Sequence, residues 1–344
     1  MYTRGRTAGI VLGTFVCYIL GFLLLRRYFF AVLWRMCKIL HIPYFGGYFS
    51  SALFELALLI FVLIMMKVTG QIRVLRAPRG TFFRGLFTGG FMIVMAVFAI
   101  ISAIISRMDS LAFRGKGTIL FSTVLFIFTG MAEEFMFRGI TADVVLRRGF
   151  GAVRGEAASG QSDVQRKAAS GQSDVQKEAA SGQIDVQGET VSGQMDVQGE
   201  IASGQSTGSK ENASGQRGIT PGRVWEAVFI SGLLFGLMHG LNLLTAPTLG
   251  VIVQMISAVL LGMVIAAIYC RSGNIWVVAA IHAFNDIAAG FPTLVLRSDG
   301  GGISGIIGSY GLTHLLSLIP YAVVLIVILR PGKMKEIAEK FAPQ

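Results

Sequence analysis

The sequence predicts an all-α protein, a polytopic transmembrane helical bundle of about eight spans with a disordered, low-complexity insert. The chain is 53% hydrophobic and 14% charged, and its mean hydropathy is +0.65. Apolar runs long enough to cross the hydrocarbon core of a bilayer recur along the chain. Between Phe150 and Trp225 no aromatic residue occurs, and the composition there becomes polar and repetitive.

The amino-terminal half contains four predicted spans and one predicted interfacial helix. The interfacial helix covers residues 26–38, where basic and aromatic side chains mix in a way that suits a membrane surface. In the second span, Glu55 is interpreted as a shallow or paired residue rather than a catalytic one. The loop over 67–84 carries the strongest short group of basic residues. The four predicted spans are 8–25, 52–66, 85–106 and 118–137.

The insert over residues 151–223 is built on a repeat of eleven residues. Eleven residues is the period of a right-handed coiled coil. Every copy contains Ser-Gly, however, and the steady apolar positions hold little beyond Ala and Val. Such a segment cannot bury enough apolar surface to fold. We therefore expect it to be disordered and dispensable, with a spacer or surface-binding role as the alternative.

Four further spans follow the insert, and a short basic tail ends the chain. A glycine-rich loop is predicted over 299–311, before the last span. The predicted spans are 225–244, 249–270, 274–289 and 310–329. The predicted domain limits are an amino-terminal membrane region at 1–117, two halves of a core at 118–150 and 224–296, the insert at 151–223 between them, and a carboxyl-terminal region at 297–344.

The basic residues predict the orientation of the chain. The net charge of +11 comes largely from Lys and Arg next to apolar runs, which favours a topology signal and lipid head-group contact over nucleic-acid binding. With eight spans, both termini, the basic loop and the insert lie on one side, and the positive-inside rule makes that side the cytoplasm. We expect an integral protein of a bacterial cell membrane. Cys17, Cys37 and Cys270 have no ligand-like spacing.

Ionisable residues inside the apolar spans are the candidates for chemistry, because a charge at bilayer depth is costly and usually functional. Glu134 and Arg138 are four residues apart, which predicts an ion pair along the helix. Glu133 projects about 100° away from Glu134, so we expect it to be free to act. His239 and His282 lie on two other spans. A cluster this polar must satisfy its hydrogen bonds internally.

Small residues predict a close helix contact beside His239. Gly232, Gly236 and Gly240 recur every four residues on the fifth span. Such a stripe lets the backbone of a neighbouring helix approach closely. We therefore expect His239 to point near a packed interface.

Three short motifs follow one another in the predicted core. They are Glu133-Glu134-x-x-x-Arg138, Phe235-x-x-x-His239 and His282-x-x-x-Asp286. In this order and membrane context they resemble the motifs of the CPBP intramembrane proteases, also called the CAAX protease and bacteriocin-processing, or Abi, family. The match spans the fourth to seventh predicted spans, with the repeat between the first two motifs. The family usually has Asn at the position of Asp286, and Asn285 is the alternative donor one residue earlier.

The resemblance implies an intramembrane endopeptidase that acts on a membrane protein or peptide, including a prenylated one. It assigns Glu133 and His239 to the activation of a water molecule, with Glu133 as general base. It assigns His282, with Asn285 or Asp286, to stabilisation of the oxyanion. A neutral Asn or a protonated Asp can donate a hydrogen bond, whereas an ionised Asp cannot.

Two further consequences of the resemblance concern orientation and metal. Glu134 and Arg138 would lock their helix and orient Glu133. Two histidines and a glutamate also suit zinc, so Glu133, His239 and His282 are candidate metal ligands. The sequence leaves both mechanisms open, and the His-Glu-x-x-His signature of soluble metalloproteases is absent.

Three other functions compete with this interpretation. Gly302-Ile-Ser-Gly305 is similar to the Gly-x-Ser-Gly of rhomboid serine proteases, with Ser304 as nucleophile and His314 as the available histidine. An intramembrane set of charged and histidine residues also occurs in proton or solute transporters, although no internal repeat is visible among the spans. A catalytically inactive scaffold of the same fold is the third.

Overall fold

In a computed structural model, the chain is described over residues 4–41, 46–78, 80–148, 219–296, 305, 307–308 and 310–341. These residues form helices joined by short turns, and within them the only β-type pairing is an isolated bridge between Phe113 and Leu296. The all-α prediction is confirmed. The helices are α1 (Arg4–Ile39), α2 (Tyr48–Val68), α3 (Thr81–Thr88), α4 (Gly90–Ile105), α5 (Lys116–Glu134), α6 (Asp143–Leu146), α7 (Pro221–Met238), α8 (Thr248–Ser272), α9 (Ile275–Leu294), α10 (Ile319–Ile328) and α11 (Pro331–Lys340).

The helices have the length and apolar character of membrane spans. Within the described ranges, six helices can cross a bilayer by length and composition, and up to eight spans result if each of two bent helix pairs counts as one. This agrees with the predicted bundle of about eight spans. An α-helix satisfies its own backbone hydrogen bonds in hydrocarbon. Several apolar helices of spanning length therefore identify the chain as an integral membrane protein.

The first span was predicted too short. α1 runs without interruption from Arg4 to Ile39 over 36 residues, so the interfacial helix predicted over 26–38 is a continuation of the first span. Neither Gly nor Pro occurs after Gly21 in this helix, and nothing in the sequence therefore ends it. Arg26 consequently lies on a helix that packs against α2.

The third span was predicted as one helix over 85–106 and is instead broken. α3 and α4 meet at a bend of 64°. Gly89 and Gly90 stand at the break, and paired glycines are a common cause of a kink. α3 packs against α8 and α9, whereas α4 packs mainly against α9.

The fourth span is longer than the predicted 118–137. α5 continues after Glu134 as a buried π-helix, Phe135–Ala142, and then as α6. π-Helical turns are rare and are frequent at functional sites. Ser231 of α7 donates a hydrogen bond of 2.9 Å to the carbonyl of Phe137, which ties the π-helix to its neighbour.

The carboxyl-terminal region differs from the predicted span and tail. The predicted span over 310–329 is a 3₁₀ turn, Leu312–Leu318, followed by α10. The predicted basic tail is the helix α11, which packs against α7 and α8. The predicted insert up to residue 218 and most of the glycine-rich loop lie outside the described residues, and α7 begins at Pro221, inside the range predicted for the insert.

The glycine stripe of α7 makes the close contact that was predicted. A Cβ at Gly232 would stand 2.8 Å from the carbonyl oxygen of Val259, and one at Gly236 would stand 2.8 Å from that of Met255. The backbones of α7 and α8 therefore touch along this stripe. α7 ends at Met238, and His239 opens the 3₁₀ turn His239–Leu244.

Candidate active site

A buried ion pair forms the centre of the site. Glu134 Oε1 is 3.0 Å from Arg138 Nη1, and both side chains are fully buried, so the predicted pair is confirmed. Arg138 Nη2 also donates a hydrogen bond of 2.8 Å to the carbonyl of Gly262 on α8. Its guanidinium lies 4.7 Å from the ring centroid of Phe235. These contacts join the π-helix to α7 and α8.

His282 of α9 connects the two adjacent glutamates. Its Nδ1 is 2.7 Å from Glu134 Oε1. Its Nε2 is 3.5 Å from Glu133 Oε2 and 3.4 Å from Asp286 Oδ2. Carboxylate oxygens accept hydrogen bonds, so Nδ1 donates to Glu134, whereas Nε2 lies at ion-pair distance from Glu133 and Asp286. The resemblance had assigned Glu133 to act with His239 and had grouped it with His282 only as candidate metal ligands. The hydrogen bond between His282 and Glu134 was not predicted, because a sequence does not record how two helices pack.

His239 is oriented by the backbone of its own helix. Its Nδ1 is 2.8 Å from the carbonyl oxygen of Phe235, and a carbonyl can only accept. Nδ1 therefore carries the proton, and in the neutral ring Nε2 is left with its lone pair. The Phe235 ring contacts both histidine rings, with centroids 4.8 Å from His239 and 5.5 Å from His282.

One cavity of about 670 Å³ joins these groups. Glu133, His239, His282 and Asp286 all line it, whereas Glu134 and Arg138 do not. The Glu134–Arg138 pair therefore contacts His282 on the side of the ring that faces away from the cavity. The cavity is lined by residues of α1, α2, α5, α7, α8 and α9 and of the 3₁₀ turn that follows α7.

Three lining residues were not predicted to belong to the site. Glu55 of α2 was interpreted as shallow or paired, and Arg26 of α1 as part of an interfacial helix, yet both line the cavity. Tyr18, which is 1% exposed, lines it too. For Glu55, the available signal was a single carboxylate in an otherwise apolar span. For Arg26 and Tyr18 no local signal exists, because membership depends on how α1 packs.

The last motif position is occupied by Asp286. Asp286 lines the cavity, whereas Asn285 does not and its Nδ2 donates to the carbonyl of Ile281 at 2.8 Å.

The rhomboid-like alternative depends on Ser304 and His314. Ser304 lies outside the described residues, and the His314 ring stacks on Tyr310 with centroids 4.6 Å apart.

The predicted ligands do not form a metal-binding group. Across the described ranges, no three His, Cys, Asp or Glu side chains come together as ligands for a metal ion. Nδ1 of His282 is hydrogen-bonded to Glu134 at 2.7 Å, and Nε2 is the ring nitrogen that faces Glu133 and Asp286. Zinc binding by Glu133, His239 and His282 therefore stays a prediction, which removal of divalent metals tests.

A glycine allows the glutamates to reach His282. A Cβ at Gly130 would stand 2.9 Å from the backbone nitrogen of Ala283 and 3.2 Å from the carbonyl oxygen of Ala279. Both neighbours are backbone atoms, which cannot move aside without moving α9. Gly130 is one helical turn before Glu134, so the close contact of α5 with α9 sets the distance from the glutamates to His282.

Gly130→Ala is therefore expected to reduce peptide hydrolysis by about 100-fold, since a displacement near 1 Å has effects of this size. Stability should also fall, by about 1–3 kcal/mol, as in other overpacked interiors. Both are measured on purified protein, as the rate and the thermal midpoint. Gly117→Ala on the same helix is the control, because nothing lies within 4 Å of its Cβ position. Equal effects of the two variants would contradict this account.

Comparison with known proteins identifies a family whose model matches this part of the chain. The family model described as Rce1-like, for type II CAAX prenyl endopeptidases, matches residues 115–288, about half of the chain. The matched stretch includes Glu133, His239, His282 and Asp286. Tyr18, Arg26 and Glu55 lie before it. No curated protein and no solved structure is detectably similar to the chain.

Proposed function

Because the chain belongs to the Rce1-like family of type II CAAX prenyl endopeptidases, we propose that it is an intramembrane endopeptidase that hydrolyses a peptide bond of a membrane-associated protein or peptide. A prenylated peptide is one candidate substrate. The observation that carries the proposal is the convergence of Glu133, His239, His282 and Asp286, from three helices, on one cavity.

Glu133 and His239 activate the attacking water. His239 presents the lone pair of Nε2, since its proton is held at Nδ1 by the Phe235 carbonyl. Glu133 and His239 line the same cavity, and a water molecule can bridge two such acceptors. Glu133 accepts a proton from this water as the oxygen attacks the carbonyl carbon. It then returns the proton to the nitrogen of the leaving amine.

His282 and Asp286 stabilise the oxyanion of the tetrahedral intermediate. Nε2 of His282 lies 3.5 Å from Glu133 Oε2 and 3.4 Å from Asp286 Oδ2, and in the proposed mechanism it donates to the substrate carbonyl oxygen. Glu134 accepts from the opposite nitrogen of the ring at 2.7 Å and holds its orientation. Preorganised donors of this kind contribute most when water is excluded.

Asp286→Asn is expected to retain most activity, and Asp286→Leu to lose about 100-fold or more, as for the loss of one oxyanion donor. The amide has the size of the acid and donates a hydrogen bond without ionising. Steady-state kinetics on purified protein measures both. Asn285→Ala is the matched control on the same helix turn. If Asp286→Asn were as inactive as Asp286→Leu, an ionised carboxylate would be required and this role would be wrong.

Removal of divalent metals is expected to leave hydrolysis unchanged. The proposed steps use only carboxylate and imidazole groups, and the described residues offer no three-ligand set. The protein is dialysed against a strong chelator, its metal content is determined, and activity is measured. Loss of activity that added zinc restores would favour the metal-dependent mechanism.

The substrate itself is identified by comparative peptidomics. Membranes containing the active protein are compared with membranes containing the Glu133→Gln variant. We expect a set of peptides that are shortened only in the presence of the active protein. Indistinguishable peptide profiles, with both proteins inserted at equal levels, would remove the proposed function.

A further inference from the structure

A second groove, which we call the lateral groove, lies between the first turns of α1 and α7. Its volume is about 230 Å³, and the described residues that line it are all different from those that line the catalytic cavity. α6 packs against both α1 and α7, and the buried Val145 of α6 forms the floor. Because the groove lies where both α1 and α7 begin, the two helices leave it in the same direction.

Two stripes of side chains form the walls of the lateral groove. Each stripe begins with a charged residue and continues with apolar residues at intervals of four: Arg4, Ala8 and Leu12 on α1, and Glu226, Ile230 and Leu234 on α7. Residues four apart lie on one face of a helix, so each stripe faces the groove over two turns. The groove is therefore charged at one end and apolar along the rest of its length.

The dimensions of the groove match one leaflet of a bilayer. Eight residues of helix, from Arg4 to Leu12 or from Glu226 to Leu234, extend about 12 Å, and one leaflet of hydrocarbon is about 15 Å deep. Both helices belong to candidate membrane spans, and Leu12 is 62% exposed. The apolar part of the groove therefore lies beside acyl chains, and its charged end lies at the level of the lipid head groups.

The charged end of the groove has an excess of positive charge. Arg148 donates to both oxygens of Glu226, at 2.8 and 3.0 Å, so the charges of this pair compensate each other. Arg4 adds a second guanidinium to the lining, and two arginines with one glutamate leave one net positive charge. Because a guanidinium matches phosphate in both geometry and charge, this end of the groove suits a phosphate group.

A buried hydroxyl close to Arg4 supplies a further hydrogen-bond donor. Thr7 is 3% exposed and lines the groove, and its Oγ1 has no hydrogen-bond partner among the described residues. Buried polar groups in proteins almost always have a partner. Residues three apart on a helix are neighbours, so a phosphate held by Arg4 would offer an oxygen that accepts from Thr7.

We propose that the lateral groove binds one anionic glycerophospholipid. Arg4 and the Thr7 hydroxyl hold its phosphate, and one acyl chain lies along the two apolar stripes. The net positive charge favours an anionic head group over a zwitterionic one. Lipid binding requires no step of proteolysis, so it is tested independently of the proposed function. A lipid in this position would join α1 to α7, and both helices also line the catalytic cavity.

Binding is measured on the full chain, purified and delipidated in detergent, by native mass spectrometry and by the thermal midpoint of unfolding. We expect phosphatidylglycerol to bind saturably at one molecule per chain and to raise the midpoint, because a ligand of the folded state stabilises it. Phosphatidylethanolamine with the same acyl chains should bind more weakly, and inorganic phosphate should not raise the midpoint. Equal binding of the two lipids would overturn the preference for negative charge. A rise with phosphate alone would overturn the lipid assignment in favour of a free anion.

Arg4→Gln is expected to weaken phosphatidylglycerol binding about tenfold, as for the loss of a hydrogen bond to a charged group. Arg6→Gln is the matched control, because Arg6 is exposed at the same end of α1 and does not line the groove. The control should change the affinity little. Equal losses in the two variants would indicate a general attraction of lipid to this end of the helix and would overturn the site.

Thr7→Val separates a role in lipid binding from a role in folding. Valine keeps the shape of threonine and removes the hydroxyl. The midpoint of the lipid-free protein should therefore stay the same or rise, while the affinity for phosphatidylglycerol falls about tenfold. A lower lipid-free midpoint with unchanged affinity would show that the hydroxyl serves the fold and would overturn its role in the site.

Ala8→Trp is expected to abolish the binding of phosphatidylglycerol at one molecule per chain. Ala8 is exposed and lines the groove, so the indole has room to take the place of the acyl chain. Gly9→Trp is the control, because nothing lies within 4 Å of the Cβ position of Gly9 and Gly9 does not line the groove. Native-like binding by Ala8→Trp would place the lipid elsewhere and overturn the proposal.

Discussion

Glu133→Gln is expected to reduce peptide hydrolysis by about 1,000-fold, within the range for loss of a general base. The amide has nearly the same shape as the carboxylate, so the cavity and the contact with His282 are preserved. It cannot, however, take a proton from water at neutral pH. The measurement is kcat/KM on purified protein, with the thermal midpoint recorded in parallel.

Glu226→Gln is the matched control for this variant. Glu226 forms a bidentate pair with Arg148 at 2.8 and 3.0 Å, away from the lining of the catalytic cavity. Its substitution should change the rate less than twofold, as expected for a partly exposed ion pair of small energetic effect. Near-native activity of Glu133→Gln would exclude Glu133 as the base.

Arg138→Met is expected to destabilise the protein by about 3–5 kcal/mol, the usual effect of removing one partner from a buried ion pair. The guanidinium and the Glu134 carboxylate are both fully buried, so the substitution leaves this carboxylate with His282 as a partner and without the guanidinium. The hydrogen bond to the Gly262 carbonyl is lost as well. Unfolding of the protein in detergent, induced by heat or by denaturant, measures the change in the free energy of unfolding.

Two further variants distinguish the buried charge from simple loss of packing. The double variant Arg138→Met with Glu134→Gln should recover part of the lost stability, because no buried carboxylate lacks its guanidinium partner. Arg148→Met should cost about 1 kcal/mol or less, since its pair with Glu226 is partly exposed. If the double variant is no more stable than Arg138→Met, the unpaired charge is not the cause.

The spans were predictable because the bilayer imposes a simple requirement on sequence. A segment in hydrocarbon must be apolar and must satisfy its own backbone, so hydropathy located the spans along the chain, although not all of their ends. The errors arose where hydropathy carries no information. Nothing in composition separates a helix that ends near Leu25 from one that continues to Ile39, and the glycine pair at the bend between α3 and α4 does not change the hydropathy of the span.

Some features of the site were predictable from the sequence, and others were not. The pairing of Glu134 with Arg138 follows from their spacing on one helix, so local geometry predicts it. The glycines of α7 likewise predicted a close contact, because only the absence of a side chain permits backbone approach. In both cases, the information lies within a few consecutive turns.

By itself, the sequence determined that this chain crosses the membrane repeatedly as helices, which residues carry charge within it, and which of them pair along a single helix. The tertiary structure alone decided that His282 contacts both adjacent glutamates, that Asp286 rather than Asn285 lines the cavity, and that Glu55 and Arg26 share it. The physical reason is that contacts between helices depend on the packing of backbones at points such as Gly130 and Gly262. That packing depends on many side chains at once, and no local pattern records it.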